Sequence, residues 1–312
     1  MRVLLLGGTG EVGHHVANGL AERGHAVTVL TRGRDRRGFP LDARIQLLQV
    51  DKNDAAALER AVAPLAPDVV IDTVPTDASV RCLHGLFAGK IRHYIHCGST
   101  GVYAPLQYVP GDEEHPWKPK SGDFFAACAA RDALALELYQ RDGFPVTILR
   151  PTMIIGPGAL PVDNLGGRGA WFLQDLSANR PLELPEDGDA LLQAGLNADL
   201  AQAFVLAAEQ SARAVGEIFN ISCRRAVTLR RYLELFKEAM GSASELIPTP
   251  LETILRNHRD DGRADDYWLR FLCLHMCYDL TKARERLGYD PPSDLRDSIR
   301  LVVDWARKSG KV

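Results

Sequence analysis

The stretch from residue 3 to residue 32, VLLLGGTGEVGHHVANGLAERGHAVTVLTR, constrains the fold of this 312-residue chain more than any other. An apolar run ends in Gly7, Gly10 and Gly13, a helical pattern follows, and a second apolar run closes the unit. Glycines at that spacing permit a tight turn, close approach of a pyrophosphate to the backbone, and close packing of helix on sheet. The helix N-terminus then offers free N–H groups to the phosphates. Gly7, Thr9, Gly10, Glu11, Val12 and Gly13 are therefore the expected phosphate-binding loop of a dinucleotide site. The second run ends in Thr31-Arg32-Gly33-Arg34, where an Asp or Glu would bond a ribose 2′-OH. Arg32 and Arg34 suit a 2′-phosphate instead, so Thr31, Arg32 and Arg34 favour NADP(H) over NAD(H). The competing reading makes these arginines solvated loop charges.

The rest of the first half repeats the alternation. Apolar runs at 3–6, 26–30, 45–50, 68–71, 93–97 and 146–149 are separated by helical patterns at 12–23, 55–63, 79–88 and 124–141. Strands alternating with helices predict an α/β fold, a doubly wound parallel sheet of Rossmann type covered on both faces. After Arg150 the texture changes to the Gly- and Pro-rich PTMIIGPGALPVDNLGGRGA. A helix at 199–211 and a strand at 218–222 resume the pattern, and helices at 229–240, 250–257, 267–276 and 294–306 follow. The expected division is a nucleotide domain at 1–165, completed by about 195–225, and a smaller, mostly helical C-terminal substrate lobe at 166–194 and 226–312.

Composition narrows the function. With net charge −3 and 25% charged residues, the chain has no electrostatic footprint for nucleic acid or anionic membrane. No apolar run reaches the roughly 18 residues of a membrane-spanning helix. The six cysteines sit in apolar surroundings without paired metal-ligand spacing, which predicts buried thiols, no metal site and a cytoplasmic location.

At this point the chain resembles the extended short-chain dehydrogenase/reductases, the NAD-dependent epimerase/dehydratase family. The glycine loop matches the family's cofactor loop. Asp51, in LQVDKND, resembles the acidic residue that contacts adenine, and YIHCGSTGVYAP resembles the strand that places the catalytic-type hydroxyl at Ser99, with Tyr103 four residues on. VTILRPTMIIGPG resembles the segment beside the nicotinamide, with Arg150 and Pro151 in the familiar places, and MCYDLTKARERLGYDP resembles the closing signature. The resemblance also implies cofactor contacts at Thr73 and Val74, and a substrate pocket drawing on Thr100, Thr152, Met153, Asn164 and Arg168. It implies a homodimer paired through nucleotide-domain helices as well.

The family's chemistry rests on Tyr-x-x-x-Lys in the helix after the Ser strand. One turn puts both side chains on one face, where the cation lowers the phenol pKa for proton transfer. Here residues 125–130 read Phe-Ala-Ala-Cys-Ala-Ala, so Phe125 stands for the Tyr and Ala129 for the Lys. A second register pairs Ala127 with Arg131, and a plain core helix is the third reading. No register supplies the phenol. Tyr103, Tyr108, His96 and His115 are the nearby groups that could move a proton instead.

Two functions follow. The favoured one is an NADP-linked enzyme acting on a hydroxyl or carbonyl of a small molecule such as a sugar nucleotide. The other is a dinucleotide-binding sensor or partner-binding protein without redox turnover. Some relatives associate with RNA, but the negative net charge argues against that partner here.

Overall fold

A computed structural model describes residues 1–33, 39–117, 119 and 122–312. The first half runs β1 (Arg2–Leu6), α1 (Gly13–Glu22), β2 (Ala26–Thr31), β3 (Gln46–Gln49), α2 (Ala55–Val62), β4 (Val69–Asp72), α3 (Asp77–Phe87), β5 (His93–Cys97), α4 (Ala126–Asp142) and β6 (Val146–Pro151). The middle runs β7 (Met153–Ile155), α5 (Ala170–Ser177), β8 (Leu182–Pro185), β9 (Leu191–Leu192), β10 (Ala194–Leu196), α6 (Asn197–Glu209), α7 (Ser211–Ala214) and β11 (Ile218–Ile221). The end runs β12 (Val227–Thr228), α8 (Leu229–Met240), β13 (Leu246–Thr249), α9 (Leu251–Asn257), α10 (Asp266–Leu272), α11 (Thr281–Leu287) and α12 (Leu295–Lys308).

The main sheet is parallel throughout, in the order β11-β6-β5-β4-β1-β2-β3. This is the expected doubly wound fold. Its order reverses between β1 and β4, and ligands of such sheets bind outside the carboxyl ends at that switch point. Strands buried on both faces must be apolar along their length, which is why β4 (VVID) and β6 (VTILRP) read as continuous runs. Leu20 of α1, Phe204 of α6 and Leu287 of α11 pack on one face. Leu58 of α2, Leu83 of α3 and Leu138 of α4 pack on the other. A further core joins α5, α8 and α12 through Phe172, Phe236 and Ile299. Each such fully buried side chain contributes about 1.5–3 kcal/mol.

Local signals set the boundaries. Asp54 and Thr228 cap α2 and α8, Thr76 and Ser79 form a reciprocal capping box on α3, and Gly143 ends α4 with φ +66°. The Gly- and Pro-rich middle holds more pairing than its composition suggests: β7 with β10, β8 with β13 and β9 with β12. Strands of two to four residues are too short to leave a periodic trace. Helix α11, within the closing signature, packs beside β11 and α6 on the nucleotide face. Among the described residues no helix is long and apolar enough to cross a membrane, and no cluster of His, Cys, Asp and Glu could hold a metal.

Candidate functional site

A cavity of about 820 Å³ opens at the carboxyl ends of β1, β2, β4 and β5. Its floor is the glycine loop. Gly7 turns at φ +82°, its carbonyl accepts from Gly10 N–H at 2.9 Å, and a Cβ added at Gly13 would collide with that carbonyl oxygen. Side chains are thereby excluded and backbone N–H groups of the loop are left for an anion at the start of α1. Thr73 fixes the opposite lip, donating both N–H and Oγ1–H to Leu6 O at 3.1 and 3.0 Å.

Of the residues expected to contact a dinucleotide, Gly7, Thr9, Gly10, Glu11, Val12, Gly13, Thr31, Arg32, Thr73, Val74 and Pro151 all lie on this wall. Arg34 falls outside the described residues. Asp51 lies one residue off the wall, exposed, its carboxylate accepting from Asn53 N–H at 3.0 Å. Its neighbours Lys52 and Asn53 line the cavity in its place. Lys52 Nζ donates to Val74 O and stands 3.7 Å from Asp72 Oδ1. Burial lowers the Lys52 pKa against the raising pull of Asp72. The signal for Lys52 was present in the sequence. In a sheet ordered 3-2-1, a cation ending the third strand sits beside the arginine ending the second.

Arg150, expected as a cofactor contact, does not line this cavity. It is fully buried, donating from Nε to Asp132 Oδ2 at 2.8 Å, with Nη2 also 2.8 Å from that oxygen. Its guanidinium stacks 4.3 Å from the Trp117 ring and 4.8 Å from the Tyr103 ring. His96 Nε2 contacts the other Asp132 oxygen at 3.1 Å. This buried His–Asp–Arg group ties α4 to β5 and β6, and so sets the position of Pro151 on the wall.

Past Cys97, the Ser99 hydroxyl caps a short turn by accepting from Gly101 N–H at 3.1 Å. Phe125 closes over that turn. Its ring occupies the space a Cβ on Gly101 would take, and it packs 5.1 Å from Phe271. Phe125 therefore faces the Ser99 turn from the start of α4, where the resemblance puts the missing Tyr. Ala129, one turn on, is buried in an apolar cluster with Val102, Tyr103 and Cys128. Arg131, the cation of the second register, is half-buried and close enough to the Cys128 thiol to pull its pKa down against the larger, raising effect of burial.

The substitute proton carriers are each buried or hydrogen-bonded within the protein, Tyr108 through its hydroxyl to Asp112 Oδ1 at 2.8 Å. Tyr103 is 2% exposed, wedged between Arg150 and Tyr278, and burial pushes its phenol up to about 12. His115 Nε2 accepts from Gln107 N–H at 2.8 Å while Nδ1 donates to Pro116 O at 2.8 Å. His96 belongs to the Asp132 group. Burial also raises the Cys97 pKa, keeping its sulfur as a thiol.

Most of the expected substrate contacts are likewise spent inside the protein. Thr100 Oγ1 donates to Pro151 O at 3.3 Å, and Thr152 Oγ1 shares a hydrogen with Ser222 Oγ at 2.5 Å. Asn164 Nδ2 donates to Glu183 O at 2.7 Å, and Arg168 clamps its loop by donating to Leu160 O and Ile154 O at 2.5 and 2.8 Å. Met153 packs partly buried in β7 against the second lobe's core. A sequence shows that a loop is polar; it does not show that the loop consumes its own polar groups.

Comparison with known proteins agrees with this geometry. Residues 3–222 match the model of the NAD dependent epimerase/dehydratase family. The chain is 30% identical over 315 residues to the chloroplast stem-loop binding protein of 41 kDa b of Arabidopsis thaliana, covering 96% of this chain and 77% of that protein. It is 23% identical over 338 residues to UDP-glucose 4-epimerase of Mycolicibacterium smegmatis, covering all of both. The structure of UDP-glucuronic acid 4-epimerase from Bacillus cereus in complex with NAD superposes with a TM-score of 0.77 over 99% of each chain, at 17% identity. With its glycine loop, sheet order and matched residues in agreement, this chain belongs to the NAD-dependent epimerase/dehydratase family.

Proposed function

We propose that this protein is an NADP(H)-dependent enzyme acting on a hydroxyl or carbonyl group of a sugar nucleotide or metabolite of similar size. The observation that carries the reading is the cavity wall itself, where the glycine-loop amides stand beside two cations, Arg32 and Lys52. The loop amides would hold the pyrophosphate, and Arg32 with Lys52 would hold the 2′-phosphate by charge-assisted hydrogen bonds. A bound nicotinamide would supply a hydride donor or acceptor at the Cys97–Pro151 end of the cavity.

The chain's own part in the reaction is small. Ser99 Oγ orients the substrate oxygen. Phe125 and Ala129 carry no exchangeable side-chain proton, so the proton that balances the hydride passes through the Ser99 hydroxyl and water. Loss of a positioned general acid costs roughly 10²–10⁴ in rate, and turnover is correspondingly slow. The substrate is drawn against the second lobe, residues 166–194 and 226–312.

The test is multiple-turnover consumption of NADPH, or of NADP⁺, across a panel of sugar nucleotides, with Ser99→Ala as control. Turnover that falls in Ser99→Ala supports the reading. Tight dinucleotide binding with no turnover on any substrate would leave a binding protein in its place. The 30% identical stem-loop binding relative favours RNA as a second reading. Stem-loop binding that weakens between 50 and 200 mM salt would establish it, and the net charge of −3 weighs against it.

A further inference from the structure

A second cleft, of about 680 Å³, lies at the other end of the same sheet edge. It opens at the carboxyl end of β11, four strands from β1, and so about 19 Å from the glycine loop at the usual strand spacing. Its size falls within the roughly 300–1,000 Å³ of small-molecule sites.

Three arginines line it, and they are not equivalent. Arg224 is neutralised by Asp290, donating from Nε and Nη2 at 3.0 and 2.8 Å. Arg225 is exposed, and among the described residues its guanidinium has no hydrogen-bond or ion-pair partner. Arg284 bonds the Thr281 hydroxyl at 3.2 Å and, among the described residues, makes no direct ion pair, although the Asp279 carboxylate, which accepts from that hydroxyl, lies within its field. Among the described residues the mouth therefore carries two guanidinium groups, those of Arg225 and Arg284, that are not tied up in a direct ion pair.

The floor is rigid. Gln193, 2% exposed, accepts from Tyr278 N–H at 2.7 Å and donates to Cys223 O at 2.8 Å. Tyr289 Oη donates to Ser222 O at 2.9 Å. Tyr278 Oη donates to Thr100 O at 3.2 Å, which joins this floor to the Ser99 turn. A concave wall with a satisfied polar floor and unpaired planar cations at its rim is suited to bidentate recognition of phosphate.

We propose that this cleft is a second ligand site, separate from the dinucleotide cavity, that takes a small phosphate-bearing metabolite on Arg225 and Arg284. The site stands independently of the dinucleotide reading. Its test is equilibrium dialysis with radiolabelled pyrophosphate, run with and without saturating NADPH, on wild type and on Arg225→Gln/Arg284→Gln.

Wild type is expected to bind two equivalents alone and one beside NADPH, and the double variant should lose the NADPH-insensitive equivalent by at least tenfold in affinity. No pyrophosphate bound beside NADPH, or full retention in the double variant, would overturn the proposal. If NADPH leaves the count unchanged while the double variant still loses one equivalent, the cleft stands and the dinucleotide reading falls. A stem-loop RNA added as competitor separates the two sources of phosphate. Failure to displace the probe supports a metabolite site, and displacement at micromolar RNA would overturn it.

Discussion

Asp132→Asn removes one negative charge from the centre of the buried His96–Asp132–Arg150 group while keeping the side chain's shape. Asp132 and Arg150 are both fully buried, so the remaining guanidinium would be left in the interior without a counter-charge. Deleting one partner of a buried pair costs about 3–5 kcal/mol. The Asn oxygen can still accept one bond from Nε, and the Trp117 and Tyr103 rings still flank the cation. The lower end, about 3 kcal/mol, is therefore expected. At about 2.1 cal/mol/K per residue, 312 residues give an unfolding entropy of about 0.65 kcal/mol/K, so Tm should fall by about 5 °C. Differential scanning calorimetry measures this directly. Asp132→Asn/Arg150→Met, which removes the stranded cation, should recover part of the loss. NADPH affinity should track Tm, because β6 carries Pro151 onto the cavity wall. A single variant within 1 °C of wild type would refute the idea that this pair holds the site's frame.

Three further outcomes follow from the geometry. Gly13→Ala puts a methyl group into the Gly7 carbonyl, so dinucleotide affinity measured by fluorescence titration should drop at least tenfold; unchanged affinity would remove the loop from the site. Tyr103→Phe should leave the pH–rate profile between pH 6 and 9 unchanged, because the Tyr103 phenol, raised to about 12 by burial, stays protonated throughout; loss of a limb would make Tyr103 a proton carrier. Burial lowers His15 from 6.5 to about 4 and His93 to about 3, so the unfolded chain binds more protons than the folded one across that interval. Stability from these groups is present above about pH 6.5 and is lost as pH falls towards 4. His15→Gln should flatten that acid limb in urea midpoints taken at pH 7, 5.5 and 4.5, and an unaltered slope would contradict the burial argument.

The parallel sheet was legible because its strands, covered on both faces, must be continuously apolar, and β5 and α8 fall on the residues expected of them. The glycine loop was legible because backbone geometry demands glycine itself at Gly7 and Gly13. Side-chain fates were not. Arg150 reads as a cation next to a ligand until Asp132, 18 residues earlier, is seen to neutralise it, and nothing local announces that pairing. Arg168 and Asn164 read as ligand-facing loop residues, yet they satisfy carbonyls of Leu160, Ile154 and Glu183. Lys52 was overlooked in favour of Asp51 because the resemblance pointed at the acid, whereas the strand order places its neighbour on the wall. Phe125 is the opposite case. The resemblance put it at the position of the missing Tyr, and in the structure its ring closes over the Ser99 turn.

The central claim is that the cavity at the switch point binds NADP(H), with Arg32 and Lys52 on the 2′-phosphate. Titration of nucleotide-free protein with NADPH and NADH, followed by cofactor fluorescence, tests it most directly. A hydrogen bond to a charged group contributes about 1.5–3 kcal/mol, so NADPH should bind at least tenfold more tightly, and Arg32→Ala/Lys52→Ala should erase the difference. Equal affinity for the two nucleotides would contradict the phosphate assignment, and binding to neither would contradict the account as a whole.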